Sequence, residues 1–256
     1  MPAAGNEERH SFFISDLHLW PTRQRTTDEF IRFAGNLAGD TDALYILGDL
    51  FEYWAGDDDL DDPHHQSVVC ALERLHARGV RSYLIHGNRD FLLGSAFAAA
   101  ARLEILPDPC LHQLYSHRVL LSHGDALCTD DLAYQQFRAQ VRQPEWQSQF
   151  MQLPLAGRKA QIEALRMRSE QEKSGKPEAI MDVNPLAVER LLRAHDYPEI
   201  FIHGHTHRPA LHNLQVDGHA IQRWVLGDWY EQGSCLRLDR HGCRAMPLQE
   251  TPSKAK

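Results

Sequence analysis

Five apolar, strand-like runs in this chain each end in a small cluster of Asp, Asn or His, usually beside a glycine. Ser11–Ser15 leads into Asp16-Leu17-His18, Ala43–Leu47 into Gly48-Asp49, and Val80–Ile85 into His86-Gly87-Asn88. Val119–Ser122 leads into His123-Gly124-Asp125, and Glu199–Ile202 into His203-Gly204-His205-Thr206-His207. In open α/β sheets ligands sit at the carboxyl ends of strands, so five clusters in that position can converge on one site. Helix-like segments separate the runs: Thr27–Leu37, Ser67–Arg78 stopped by Gly79, and Asn184–Ala194 with Pro185 near its first turn. This βαβαβ rhythm predicts a sheet with parallel strands.

A length of 256 residues suits one large α/β domain, or one that carries an inserted subdomain. The stretch Asp130–Lys176 reads as helical and is rich in Gln, Arg and Lys, punctuated by Pro144, Pro154 and Gly157. From Pro209 onward the pattern is β-rich, with VDGHAI and DRHGC as turn-bearing segments, and the tail TPSKAK is expected to fray. The net charge of −8 and pI of about 6.0 lack the basic footprint of a nucleic-acid binder. They leave room for an anionic substrate, because metal ions supply local positive charge. None of the five cysteines (Cys70, Cys110, Cys128, Cys235, Cys243) forms a CxxC pair, which fits a reducing compartment. The N-terminal MPAAGNEERH has no apolar core of a secretory signal, and no apolar run reaches the ~18 residues of a membrane span. The expectation is a soluble protein, at most peripheral to a membrane.

The clustered residue types define the chemistry. Two carboxylates (Asp16, Asp49), one amide (Asn88) and four imidazoles (His18, His123, His205, His207) form a mixed N/O set with no thiolate, which suits Mn, Fe, Zn or Co. Seven such groups exceed one tetrahedral site, so two ions sharing a carboxylate are expected. The D-x-H and H-x-H spacings fit, since residues i and i+2 of an extended segment face the same side. Two divalent ions outweigh Asp16 and Asp49 in charge, and the surplus favours a phosphate or pyrophosphate together with an activated water. Each motif alone is weak; five in order, each at a strand end, are strong. Asp125 reads as a hydrogen-bond partner for a ligand imidazole. The acidic run Asp57–Asp59 with Asp61 and Asp62 lacks EF-hand spacing and reads as a solvated loop. His64-His65 has no strand-end setting and reads as surface.

The order D-x-H (Asp16–His18), G-D (Gly48-Asp49), G-N-x-D (Gly87–Asp90), H-G-D (His123–Asp125) and G-H-x-H (Gly204–His207) resembles the calcineurin-like metallophosphoesterase superfamily from about Asp16 to His207. The resemblance implies an α/β fold, a four-layer αββα sandwich of two β-sheets flanked by helices, with metals at the strand ends. It implies one ion on Asp16, His18, Asp49 and His207, and another on Asp49, Asn88, His123 and His205, so that Asp49 bridges. Many members carry His after the Asn; here Arg89 stands there. An arginine stays charged and cannot serve as an ordinary general acid, but it can stabilise phosphate charge. The leaving group should therefore depart without protonation, as a phosphate does from a pyrophosphate.

The longer phrases LYILGDLFEYWAGDDD, IHGNRDFLLG, SHGDALCTDD, IMDVNP and IHGHTHRP closely resemble the UDP-2,3-diacylglucosamine diphosphatase family of lipid A biosynthesis. That likeness implies hydrolysis dependent on two Mn2+ ions per chain, giving UMP and 2,3-diacylglucosamine 1-phosphate (lipid X), with water attacking the α phosphorus on the uridine side. It implies a monomer in the cytoplasm, peripherally associated with the inner membrane. It also implies catalytic roles for Asp49, Asn88, Arg89 and His205, and substrate contacts from Asn88, Arg89, Asp131, Ser169, Lys173, Lys176 and His205. Lys173 departs from the family, standing where an amide residue is common. In a single 1–256 domain, residues 130–176 would form a helical lid whose apolar side chains (Phe150, Met151, Leu153, Leu155, Ile162, Leu165, Met167) shelter acyl chains. Its cations (Arg158, Lys159, Arg166, Arg168, Lys173, Lys176) would meet phosphate or anionic lipid. From composition alone, a hairpin that packs its apolar face on the sheet is the simpler account. Two alternatives stand beside this reading. One is a metallophosphoesterase acting on a soluble nucleotide or phosphodiester, which needs no apolar lid. The other is a non-catalytic scaffold, which needs no complete ligand set.

Overall fold

A computed structural model describes residues 9–37, 39–173, 181–230 and 233–248, except for the side chains of 168–173. In chain order the elements are His10–Ile14 (β1), Gln24–Asn36 (α1), Thr41–Leu47 (β2), Pro63–Ala77 (α2), Arg81–Ile85 (β3), Ser95–Ala101 (α3), Leu103–Leu106 (β4), Cys110–Leu114 (β5) and His117–Leu121 (β6). They continue with Leu132–Val141 (α4), Pro144–Met151 (α5), Leu155–Lys173 (α6), Pro185–Ala194 (α7), Ile200–His203 (β7), Ala210–Val216 (β8), His219–Val225 (β9), Ser234–Asp239 (β10) and Gly242–Pro247 (β11).

The strands form two sheets, ordered β11-β10-β1-β2-β3-β4 and β5-β6-β7-β9-β8. In the first, β1 to β4 run parallel and β10 and β11 close one edge antiparallel. In the second, β6, β7 and β9 are parallel. Parallel strands buried on both faces read as nearly continuous apolar runs, which explains Phe12-Phe13-Ile14 and Leu44-Tyr45-Ile46-Leu47. Alternation along these strands assigns each side chain to a layer. Phe12, Ile14, Leu44, Ile46 and Leu84 pack outward with Phe30 and Phe33 of α1 and Leu72 and Leu75 of α2. Phe13, Tyr45, Leu47 and Ile85 face inward with Val119, Leu121, Ile200 and Ile202 of the second sheet. Leu120 and Phe201 point the other way, with Val188 and Leu192 of α7. The result is the expected αββα sandwich.

The two turn-bearing segments behave as read. Asp217-Gly218, both with positive φ, join β8 to β9, and Arg240-His241 joins β10 to β11. Pro144 and Pro154 do mark breaks between helices, whereas Gly157 lies inside α6. The tail TPSKAK lies outside the described residues. No helix among the described residues is long and apolar enough to cross a membrane.

Three expectations are corrected. α3, β4 and β5 lie outside the predicted elements, because their short runs mix buried with exposed positions and their residue types carry little periodicity. His65 is not a surface residue: α2 begins at Pro63 under an Asp62 cap, which leaves His65 only 5% exposed with Nδ1 2.9 Å from the Asp59 carbonyl. The acidic run is not a solvated loop either. Asp57 accepts the N–H groups of Gly94, Ala96 and Phe97 and the Trp54 indole N–H. Asp58 pairs with the buried Arg158, and Asp59 with Lys159 at 2.7 Å. The loop therefore fastens α3 and α6 to the sandwich. Ion pairs, together with Arg142 donating to the Gly87 carbonyl at 2.8 Å, hold an insert that leaves apolar side chains outward, Leu132 at 70% and Met167 at 60% exposure.

Candidate metal centre

The carboxyl ends of β1, β2, β3, β6 and β7 meet at one rim of the sandwich, and all seven residues proposed as metal ligands lie there. The turns after β1 and β2 are tied together by Asp16 N–H to Gly48 O at 3.1 Å and His18 N–H to Asp49 O at 2.9 Å. The turns after β6 and β7 are tied by Gly204 N–H to His123 O at 2.9 Å. Across the sheets, the His205 N–H donates to Asp16 Oδ2 at 2.9 Å.

Two sets of donor atoms result. In one, His18 Nε2 and His207 Nε2 are 3.3 Å apart, and His207 Nε2 is 3.3 Å from Asp16 Oδ1. In the other, Asn88 Oδ1 lies 3.0 Å from His123 Nε2 and 2.9 Å from His205 Nδ1. Asp49 Oδ2 stands between them, 3.9 Å from both His18 Nε2 and His123 Nε2. Cation bonds of about 2.0–2.2 Å to N and O place donor atoms roughly 3 to 3.5 Å apart; the spacings within each set fit, while Asp49 Oδ2 stands somewhat farther out at 3.9 Å. The remaining lone pairs are already engaged. Asp16 Oδ2 accepts from the Ser15 hydroxyl at 2.6 Å, while its buried Oδ1 has no hydrogen-bond partner. Asp49 Oδ1 accepts the Arg89 N–H at 2.8 Å. His123 Nδ1 donates to the Leu47 carbonyl at 2.8 Å, which turns Nε2 toward the site.

The backbone explains the glycines. Asp16, His18, Asp49, His205 and His207 all have positive φ, between 49° and 70°. The D-x-H and H-x-H pairs are therefore not extended segments as the spacing suggested. Tight left-handed turns, rather than strand alternation, aim these side chains. The turns pack so closely that a Cβ on Gly87 would overlap Asp49 Oδ1, and one on Gly204 would overlap Asp16 Oδ2.

The electrostatics fit a cation. Burial pushes the Asp49 carboxyl up to about 7, and the neighbouring Asp90 and Asp16 add to that against the pull of His123. Burial also opposes charge on His123 and His207, yet carboxylates prevail. Asp49 and Asp16 raise His123 to about 9, and hydrogen bonds to Asp16 and Asp228 raise His207 to about 10. For Asp16 the burial penalty is overcome by His207, His123 and His18, which hold its carboxyl well below the usual range. The same carboxylates that favour charge on these histidines would favour a divalent ion at the rim.

Asp125 does not hydrogen-bond a ligand imidazole. His123 Nδ1 is already taken by Leu47, and Asp125 Oδ2 turns to α4, where it accepts from Tyr134 Oη and Arg138 Nε at 2.7 Å each. Asp131 caps α4, accepting the Tyr134 N–H at 3.1 Å. The Arg89 backbone anchors Asp49 and accepts the Trp54 N–H at 3.2 Å. Its guanidinium has no hydrogen bond or ion pair among the described residues. The side chains of Ser169 and Lys173, and all of Lys176, lie outside the described residues.

Four supporting residues escaped the sequence reading. Asp90 accepts the N–H groups of Leu50 at 2.7 Å and Gly87 at 2.9 Å, fixing two ligand turns at once. The G-N-x-D phrase contained it. Asp228 sits 3.1 Å from His207 Nδ1, and Gly227-Asp228 after β9 repeats the signal of Gly48-Asp49. Tyr134 stacks on His205 at 5.9 Å, and Glu52 approaches His18; neither stands in a pattern that marks it.

A buried rim of mixed carboxylate, amide and imidazole donors, able to hold divalent metals between two sheets, defines a class: the chain belongs to the calcineurin-like phosphoesterases, whose family model matches residues 11–209. Within that class its similarities are narrow. A protein named UDP-2,3-diacylglucosamine hydrolase from Aromatoleum aromaticum is 54% identical over 232 residues, covering 91% of this chain and 94% of that one. Proteins of the same name from Stenotrophomonas maltophilia and Aeromonas hydrophila are 53% and 50% identical over 239 residues. They cover 91% and 90% of this chain, and 96% and 98% of their own.

Proposed function

We propose that the chain hydrolyses the pyrophosphate of UDP-2,3-diacylglucosamine to UMP and 2,3-diacylglucosamine 1-phosphate in lipid A biosynthesis. Two Mn2+ ions would be held by Asp16, His18, Asp49, Asn88, His123, His205 and His207. The reading is carried by the convergence of these seven side chains at one rim, in a chain about half identical to relatives bearing that hydrolase name. Asp16, His18, Asp49 and His207 would take one ion, and Asp49, Asn88, His123 and His205 the other. Divalent ions in such a site lower the pKa of water and offset phosphate charge.

The chain's own groups do the rest. Arg89 projects from the turn that carries Asn88 and offers paired donors to phosphate oxygens. Arginine is not an ordinary general acid, so the leaving group departs as an anion, which a sugar phosphate can do. Water adds at the uridine-side phosphorus, the bond from that phosphorus to the bridging oxygen breaks, and the bridging oxygen leaves with the sugar phosphate. Asp49, Asn88, Arg89 and His205 are the catalytic group. Asp131, Ser169, Lys173 and Lys176 join Asn88, Arg89 and His205 in holding substrate.

Residues 130–176 act as a lid within a single 1–256 domain. Beside Asn88, the apolar Phe91, Tyr134, Phe137 and Val141 and the charged Asp125, Arg138 and Arg142 line a small cleft, from which an acyl chain would extend along the exposed apolar side chains of the insert. The exposed apolar side chains of the insert suit peripheral contact of a cytoplasmic monomer with the inner membrane. The test is Mn2+-dependent UMP release from UDP-2,3-diacylglucosamine in 18O-water. Label in UMP is expected. Label in the sugar phosphate overturns the direction of attack, and cleavage of generic diesters without UMP release overturns the substrate.

A further inference from the structure

Glu52 is a carboxylate at 3% exposure that belongs to none of the ligand clusters. Three cationic or titratable side chains from separate parts of the chain meet on it. Its Oε2 accepts from Arg23 Nη1 at 3.0 Å, and its Oε1 from Arg166 Nη2 of α6 at 2.7 Å. The same Oε2 lies 3.6 Å from His18 Nδ1. That nitrogen is buried without a hydrogen-bond partner, while the opposite one, Nε2, faces His207 and Asp49. An imidazole that gives one nitrogen to a cation carries its proton on the other, and that proton requires an acceptor. Among the described residues, Glu52 is the carboxylate within ion-pair range of Nδ1. The ring is also held from its face. Tyr230 stacks on His18 at 5.3 Å and 12°, and Arg23 lies 4.5 Å from the Tyr230 centroid. Arg166 in turn lies 5.8 Å and 5.9 Å from the rings of Trp20 and Tyr53, which pack on each other at 4.7 Å.

We propose that Glu52 is a positioning residue that accepts the Nδ1–H of His18 and so aims Nε2 at the ion. Because Arg166 holds its other oxygen, docking of α6 and loading of that ion support each other. This rests on the metal reading above. The competing account is that Glu52 merely tethers the insert.

Mn2+ titrations of the full chain by calorimetry, for wild type, Glu52→Gln and Arg166→Ala, separate the two. They are paired with hydrogen–deuterium exchange of α6 with and without Mn2+. We expect two binding events in wild type, with one weakened about 10–100-fold in Glu52→Gln and the other unchanged. Arg166→Ala should weaken the same event to a lesser degree, and the slowing of exchange in α6 that Mn2+ causes in wild type should be lost. Wild-type affinity at both sites in a folded Glu52→Gln protein, with α6 loosened, shows a tether and overturns the proposal. Where thermal melts show that Glu52→Gln does not fold, Arg166→Ala decides alone: unchanged affinity and unchanged metal-dependent protection of α6 overturn it. A wild type that binds no Mn2+ overturns the metal reading itself, a result distinct from either.

Discussion

The metal rim and the helical insert are built by opposite means. At the rim, Asp16, Asp49 and His123 are buried, and the ligand turns are fixed by hydrogen bonds of their backbone to neighbouring turns and to the carboxylates of Asp16, Asp49 and Asp90. On the insert, α4 to α6 are held mainly by side-chain ion pairs, Arg138–Asp125, Lys159–Asp59 and Arg166–Glu52, and leave Leu132, Phe137 and Met167 outward. The rim is a rigid instrument for phosphorus chemistry, which must hold its groups in place. The insert, in the function proposed above, would be the surface that meets whatever is attached to the phosphate. Each of these pairs rests on a largely buried carboxylate, so the insert is fastened to the sandwich at a few defined points.

The sharpest way to break this contrast is Asp49→Ala. Losing a shared ligand costs several kcal/mol of transition-state stabilisation, so turnover should fall about 1000-fold or more. Near-normal UMP release would end the shared-ligand scheme.

A second expectation concerns pH. With His123 held up to about 9 and His207 up to about 10, the metal-free chain carries both protons at pH 7. Raised values stabilise the metal-free fold fully below the unfolded histidine value of about 6.5, and that stabilisation is lost as pH rises through 9 to 10. Each ion would displace one of these protons, from His207 at one site and from His123 at the other, so the apparent affinity of each should rise with pH toward 9 to 10 by up to about 10-fold per pH unit. Calorimetry in buffers of different ionisation enthalpy measures the proton release. A metal-induced rise in Tm that shrinks between pH 7 and 9 would contradict it.

Asp90→Ala tests the frame without touching a ligand. It strips the acceptor from the N–H groups of Leu50 and Gly87. Urea unfolding should show a loss of about 2–4 kcal/mol, with weaker metal binding as a result. A stability change within error would mean that water or relaxation replaces the carboxylate.

The smallest effect belongs to the insert. Phe137→Ser, in the cleft beside Asn88, should change stability by less than about 0.5 kcal/mol. It should raise KM for the diacyl substrate by roughly tenfold, with kcat held. A fall in kcat with KM unchanged would place Phe137 with the rim instead.

The convergence of the candidate ligands was legible because chemistry and topology restrict it together. Few residue types bind such ions, and the strand ends are where parallel sheets expose them, so Asp16, Asp49, Asn88 and His123 announced themselves. Carboxylates with structural tasks carry no such mark. Asp57 and Asp59 look like solvated acids until their partners at Gly94 and Lys159 are known, and Glu52 and Tyr134 depend on contacts across distant parts of the chain. The local geometry was hidden for a related reason. Spacing of two suggested extended backbone, whereas the tertiary packing of Gly87 and Gly204 against ligand carboxylates forces left-handed turns. β4 and β5 are not marked in the sequence because residue type does not follow burial there, as where Leu111 is exposed and His112 partly covered.

Five of the seven ligand residues sit in a conformation that costs about 1–3 kcal/mol each outside glycine. The sandwich meets that cost during folding, so capture of cations by these turns would involve little rearrangement of the chain. The same tension has a reverse side. When heat or a core substitution slackens the strands, these bent corners are the first places able to relax, and grip on the ions should fail while most of the protein still stands.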